Sequence, residues 1–527
     1  MKNDNRLKHI SNGAVDFYIA LKFESKINYD ELCGFIQLKI DDYLKMYNSN
    51  VRDYLITTLQ TALSDLEYAD CLKIKEDYRT TNNSPVIEDS KYKDEICSFQ
   101  FDYSDNKVSI LPISRLDKYF SENYEEIKLN HKTSLKIYGY PYVNSQRRFI
   151  LPPIEIEFSN GHVDLLTAIL TIFKNNTAVL RLTLPLNNVA VKPLIINDID
   201  SYIISAKTFP DFPVALDNNS IDGIEKCYYK FLFDPKRIKS IIKYRTITNI
   251  ILAKHSAVFE DIKMLPDESK EDIYKISIAP VPDIDGLSYR EDAISFLRTN
   301  GIFLNGIGYI PGAMGRCVSV VDNNIINYCR KQFKDAHKDA LDETSDEYSI
   351  FTKIIQDIRT NVEYSILILL LKIVNDGYTF ERIGTKQCKL EKVKNDYYTD
   401  KIFISLLQSN TYGSVRELTA NIENSMIFLL DSKNVEERMH AINCIVEDIK
   451  TKKIEHFQTI ISILGLAITI VFGLPAINDT LSLIRTLCCF IDNNIPYLTI
   501  SNCSFLIWLL ISLGLPLCLW IKSKRSK

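Results

Sequence analysis

Hydrophobic and polar positions along this chain change period at least twice. Near the start, "AVDFYIALKF" (Ala14 to Phe23) alternates in the manner of a β-strand, while "YDELCGFIQLKIDDYLKMY" (29–47) and "VRDYLITTLQTALSDL" (51–66) carry apolar residues at helical spacing. "VDLLTAILTIFKNNTAVLRLTLPL" (163–186) predicts two strands around a Lys174-Asn175-Asn176 turn. Strand-like runs recur near Ile203, Tyr228, Ile250 and Ile276. No proline occurs between Gly312 and Leu474, which predicts a helical region, because proline removes a backbone donor and clashes with the preceding turn. Within that region "YSILILLLKIVNDGY" (364–378) reads as a buried helix, with a membrane segment as the alternative.

From Ser414 a helical stripe of Val415, Leu418, Ile422, Met426 and Leu429 begins, opened by Ser414 as N-cap with Glu417 three residues on. After the polar run Asp431 to Asn434 it resumes at Val435, Met439, Ile442, Val446 and Ile449. The stripe leads into Phe457–Asn478, which contains no charged residue. A second uncharged run extends from Asn493 to Ile521. Each is long enough for a hydrocarbon core of about 30 Å. Lys450, Lys452 and Lys453 precede the first run and Lys522, Lys524, Arg525 and Lys527 follow the second, which predicts both ends on the cytoplasmic side. The N-terminus has no apolar signal-peptide core.

The fold class expected is therefore an α+β cytosolic region followed by a helical stalk and two transmembrane helices. The expected divisions are residues 1–320 (mixed α/β, sensor region), 321–456 (stalk), 457–478 and 503–521 (spans), 479–502 (outer loop) and 522–527 (basic tail). The expected location is the inner (plasma) membrane, multi-pass, with both termini cytoplasmic.

Composition refines this only a little. A net charge of −4 over 527 residues gives no argument for direct nucleic-acid binding. The 12 cysteines include no C-x-x-C pair, and the seven histidines show no metal-ligand spacing. Cys488, Cys489 and Cys503 would face the oxidising side, where a disulfide is one alternative. No nucleophile–base–acid set stands out, so the expectation is a non-enzyme.

This layout resembles the CorA-like transporter and channel superfamily over roughly residues 414–527. The resemblance implies a pentamer whose stalk helix continues into a pore-lining first span. Where the family places Gly-Met-Asn, this chain has Phe472-Gly473-Leu474-Pro475, and Pro475 is expected to end the helix. Pore-lining candidates are Thr459, Ser462, Thr469, Gly473 and Asn478, with close helix packing as the alternative. The enlarged N-terminal region and the missing motif look like the CorA-like effectors associated with type III CRISPR systems. That implies an antiviral membrane effector gated by a nucleotide second messenger (S-adenosylmethionine linked to AMP). A divalent-cation (magnesium-type) transporter and a pore-less membrane-anchored sensor are the alternatives. The partners implied are the lipid membrane, further copies of the chain and the messenger.

Two stretches offer ligand candidates. "DPKRIKSIIKYR" concentrates Lys236, Arg237, Lys239, Lys243 and Arg245, either as an anion site or as a solvated helix face. "NGIFLNGIGYIPGAMGRC" brings Gly306, Gly308, Gly312 and Arg316 together, either against a phosphate or as a hinge. Its G-x-G-x-x-x-G spacing misses the dinucleotide fingerprint by one residue.

Overall fold

The computed structural model describes residues 6–44, parts of 95–126, and 145–487 apart from short internal segments. By Cα proximity the chain divides into two units: residues 1–383 with 392–436, and residues 384–391 with 437–527.

The first unit is built on a ten-stranded mixed sheet ordered β10-β11-β12-β9-β1-β7-β6-β5-β8, with β4 also paired to β6. The strands are β1 (His9–Ser25), β4 (Gln146–Ile150), β5 (Ile154–Phe158), β6 (Val163–Phe173), β7 (Thr177–Ala190), β8 (Ile203–Thr208), β9 (Ile238–His255), β10 (Ile302–Leu304), β11 (Ile307–Pro311) and β12 (Arg316–Val321). A separate hairpin joins β2 (Glu95–Asp102) to β3 (Lys107–Ser114). The ten-strand sheet is antiparallel throughout except where β12 runs parallel to β9.

β1 lies at the centre because it reads as a strand buried on both faces. Val15, Phe17, Ile19, Leu21 and Phe23 enter one core. Tyr18 and Ala20 enter the other, where α7 (Glu343–Arg382) packs through Ile354, Ile358, Val362, Ile366 and Val374. The first core also takes in Leu32, Ile36 and Ile40 of α1 (Tyr29–Leu44), and Ile224, Tyr228 and Phe231 of α3 (Ile221–Leu232). The remaining helices are α2 (Lys192–Ile195), α4 (Asp267–Ile278), α5 (Arg290–Asn300), α6 (Asn323–Ala336), α8 (Gln387–Gln408), α9 (Gly413–Ser425) and α10 (Ser432–Leu487).

The strand-like runs near Tyr228 and Ile276 are helical instead, in α3 and α4. Their apolar residues recur at three and four (Ile224, Cys227, Tyr228, Phe231), and the Ser220 side chain caps α3 by accepting from Gly223 N. The turn predicted at 174–176 is present, with Asn176 at φ 59° supplying the left-handed residue. Residues 364–378 lie inside α7, and Ile366 to Leu371 are all buried in the protein core. The predicted helix at 51–66 lies outside the described residues.

The C-terminal expectations require correction. Among the described residues no helix is long and apolar enough to cross a membrane. This overturns the two-span CorA-like architecture and the multi-pass membrane placement. Residues 457–478 lie inside α10. The second expected span, the outer-loop cysteines and the basic tail lie outside the described residues. The stalk stripe falls in α9, which ends at Ser425, and in α10, which starts at Ser432 within the polar run; residues 426–431 lie outside the described residues. Pro475 does not end a helix, since α10 continues to Leu487.

Candidate functional site on the helix-facing side of the sheet

Side chains alternate across a strand, so the even-numbered residues of β1 from Asp16 to Glu24 face α7. On that face an otherwise apolar strand carries Asp16, Tyr18, Lys22 and Glu24. Antiparallel pairing brings Asp16 opposite Thr183 of β7 and Asn249 of β9, and Tyr18 opposite Arg181. α7 lays Arg359 and Glu363, one turn apart, over this row.

The result is a chain of alternating charges. Arg359 grips Asp16 with two donors, Nε to Oδ2 at 2.9 Å and Nη2 to Oδ1 at 3.0 Å. Its Nη1 donates to Glu126 Oε2 at 2.7 Å. Glu126 Oε1 accepts from Arg181 at 2.6 Å, Arg181 also donates to Glu363 Oε1 at 3.1 Å, and Glu363 Oε2 accepts from Arg148 at 3.0 Å. Thr183 Oγ1 donates to Asp16 at 2.7 Å. The chain Asp16–Arg359–Glu126–Arg181–Glu363–Arg148 is neutral in sum, and every carboxylate oxygen in it accepts a hydrogen bond.

Burial opposes ionisation of Glu126, but the guanidiniums of Arg181 and Arg359 more than offset it and hold its pKa below the usual carboxylate range. Burial likewise opposes the charge on Arg359, yet Asp16 and Glu126 raise its pKa. The Tyr18 hydroxyl is pushed well up by burial, with Asp16 and Glu363 adding to it. Each of the six side chains is ion-paired, although Arg181 Nε and, beside the chain, Tyr18 Oη and Asn249 Oδ1 are buried without a hydrogen-bond partner. The pairing fixes the position of α7 on the sheet.

A second polar group lies further along the same face. Lys22 is 7% exposed; its Nζ donates to Asn175 O at 2.6 Å and to Asp400 Oδ2 of α8 at 3.0 Å, and lies 5.4 Å from the Tyr378 ring centre. Burial lowers the pKa of Lys22 and raises that of Asp400. Around it, Asn175 Nδ2 and Oδ1, Thr177 Oγ1 and Gln146 Oε1 are buried without a hydrogen-bond partner.

The ligand candidates read from the sequence fall elsewhere. Lys239, Lys243 and Arg245 are exposed on β9, so this stretch is strand and not the helix face that was the alternative. Lys239 pairs with Glu24 at 2.9 Å and Lys243 with Glu225 at 2.6 Å. Lys236 lies just before the strand, and Arg237 lies over the Phe35 ring at 4.2 Å. Gly306 and Gly308 belong to the β10–β11–β12 meander, where Gly306 has φ 77°. Gly312 lies so close to Ser277 O that a Cβ would stand 2.0 Å from it. Arg316 is buried. Its Nη1 donates to Leu194 O at 2.9 Å and Ile276 O at 2.7 Å, and its Nη2 donates to Asn197 Oδ1. Burial lowers its pKa to about 10. Leu194 and Ile276 lie in the last turns of α2 and α4, so this guanidinium stabilises two helix C-termini and is not a phosphate clamp.

Thr459, Ser462 and Thr469 are exposed on α10, with Thr459 and Thr469 donating back to Glu455 O and Gly465 O within the helix. Gly473 and Asn478 are in the same helix, the Asn478 side chain outside the described residues. Among the described residues no cluster of three or more His, Cys, Asp or Glu side chains is arranged to hold a metal ion.

Comparison with protein-family models, curated proteins and solved structures finds no match for this chain. The charge chain and the Lys22 group were missed in the sequence because their members are scattered from residue 16 to residue 400. A local signal did exist: Asp16, Lys22 and Arg181 are lone charges inside apolar strands, where a charge is costly unless paired.

Proposed function

We propose that the chain is a self-associating, ligand-responsive effector: the sheet-based unit receives a small ligand of the nucleotide second-messenger class, and α10 provides the contact between copies. A channel is not part of this reading, because it needs the spans corrected above. The observation that carries it is the exposed apolar surface of α10. Ile449 (42% exposed), Phe457 (63%), Ile460 (41%), Ile463 (61%) and Leu464 (56%) present more hydrophobic side chain than a helix keeps in water unaided.

The occupant is a second copy of the same helix. The series Val435, Met439, Ile442, Val446, Ile449, Lys453, His456, Ile460, Ile463 holds a strict four–three alternation. Val435, Met439 and Val446 are buried within the chain, so the part open to a second copy runs from Ile449 to Ile463. Lys453 and His456 interrupt it with adjacent polar layers of the kind that set register and copy number.

Light scattering on the full chain tests this. The account expects a mass of two or more copies that falls to one in Ile449→Lys/Ile460→Lys, and that changes when nucleotide is added. A monomeric parent chain would contradict it.

A further inference from the structure

Among the described residues the ten-stranded sheet ends in β10 on one side and β8 on the other. An end strand turns one row of backbone N–H and C=O groups outward, and such a row is a template for pairing with another chain. β10 is three residues long, which offers little to pair with. β8 has six residues, is bonded to β5 along one side, and carries Ile204 at 55% exposure. It is the end of the sheet that needs a cover.

Asn219 supplies that cover. Its Nδ2 donates to Ile204 O at 3.1 Å, and its Oδ1 accepts from Ala206 N at 3.2 Å. Backbone groups alternate between the two sides of an antiparallel strand, so Ile204 and Ala206 turn theirs away from β5. A carbonyl and the N–H two residues on are the pair that one residue of an added parallel strand would take. The carboxamide therefore stands in for one residue of a neighbouring strand.

The residues on both sides of Asn219 are fixed. Lys230 of α3 donates to both Asp217 carboxylate oxygens at 2.8 Å. Ser220 caps α3 by accepting from Gly223 N at 3.1 Å, and its own N–H donates to Asn218 Oδ1 at 3.1 Å. Ile221 N donates to Asp200 Oδ1 at 2.9 Å. An exposed carboxamide has water as an alternative partner, and a hydrogen bond contributes only about 0.5–1.5 kcal/mol net. With the flanking chain already anchored, holding Asn219 on the edge costs little further entropy.

We propose that Asn219 is an edge guard: it occupies the outward bonds of β8 and keeps that strand from pairing with the β8 of a second copy. The partner follows from symmetry. Two identical antiparallel edges close on a two-fold axis, with Ala206 opposite the partner's Ala206 and Ile204 opposite the partner's Thr208. That register uses the same outward groups on both copies and gives Ile204 a cross-strand neighbour. The exposed charge of Lys207 on the same strand is a second deterrent. The guard is independent of α10, since it decides which surface copies of the chain are kept from using, whatever else joins them.

The test is light scattering on Asn219→Ala introduced into the Ile449→Lys/Ile460→Lys chain, compared with that chain itself, so that α10 contacts do not contribute. The expected result is a mass that rises toward two copies with protein concentration only when Asn219 is replaced. Adding Ile204→Lys, which puts a charge on the opened edge, should return the mass to the starting value. A folded Asn219→Ala chain with unchanged mass at every concentration would overturn the proposal. So would an association that Ile204→Lys leaves in place, because the contact would then lie elsewhere than the β8 edge. Residue-resolved hydrogen exchange on the parent chain decides the matter even where Asn219→Ala does not fold. The Ala206 amide should exchange at least about tenfold more slowly than in the unfolded chain, and an unprotected Ala206 amide would overturn the proposal.

Discussion

Two polar regions share the helix-facing side of one sheet and are built on opposite terms. In the charge chain Asp16–Arg359–Glu126–Arg181–Glu363–Arg148, each carboxylate oxygen accepts a hydrogen bond from a donor in the chain or on the sheet. Around Lys22, at the β6–β7 hairpin end of the sheet, Thr177 Oγ1, both polar ends of the Asn175 carboxamide and Gln146 Oε1 are buried without a hydrogen-bond partner, against one such atom, Arg181 Nε, in the charge chain. The first region therefore contributes to the stability and uniqueness of the fold, while the second weakens it.

The sharpest way to break this contrast is to remove one partner from the closed network. Arg359→Met leaves Asp16 and Glu126 buried with an unmatched charge between them. Denaturant unfolding should show a loss of about 3–5 kcal/mol. A loss below about 1 kcal/mol would mean that the network is not a single unit.

A milder perturbation uses acid. The folded Glu126 carboxyl has a depressed pKa, so the stability it contributes is fully present above its unfolded value of about 4.3. That contribution is lost as pH falls through the lower folded value. The thermal midpoint of the parent should therefore drop on the acid side of about pH 4, and Glu126→Gln should lack that part of the drop. Parallel pH profiles for the two proteins would count against the pairing.

The smallest effect belongs to the polar group around Lys22. Thr177→Val exchanges an unpaired hydroxyl for a methyl of the same shape and should leave stability unchanged or raise it by up to about 1 kcal/mol. A clear loss would show that the hydroxyl already has a partner inside the protein.

Much of the sheet was legible in the sequence. "AVDFYIALKF" became the central strand and the Lys174–Asn176 turn sits where its residues predicted, since both signals are local. Tyr228 and Ile276 were misread because short apolar runs fit strand and helix alike, and the Ser220 cap that decides the first was overlooked. The C-terminal helix was misread at Pro475, which α10 passes without ending. Arg316 shows the limit for sites: a glycine-rich neighbourhood with an arginine suggested a phosphate, whereas the fold turns that guanidinium onto two helix ends separated by about 80 residues of chain. The group around Lys22 joins Thr177 and Gln146 through strand register, Asn175 through the turn and Asp400 through α8, which no local pattern records.

The central claim is that α10 provides the contact between copies of the chain, and hydrogen exchange of the full chain at low and high protein concentration tests it most directly. The prediction is protection over residues 449–464 of α10 that grows with protein concentration. Protection there that is the same at both concentrations would contradict it.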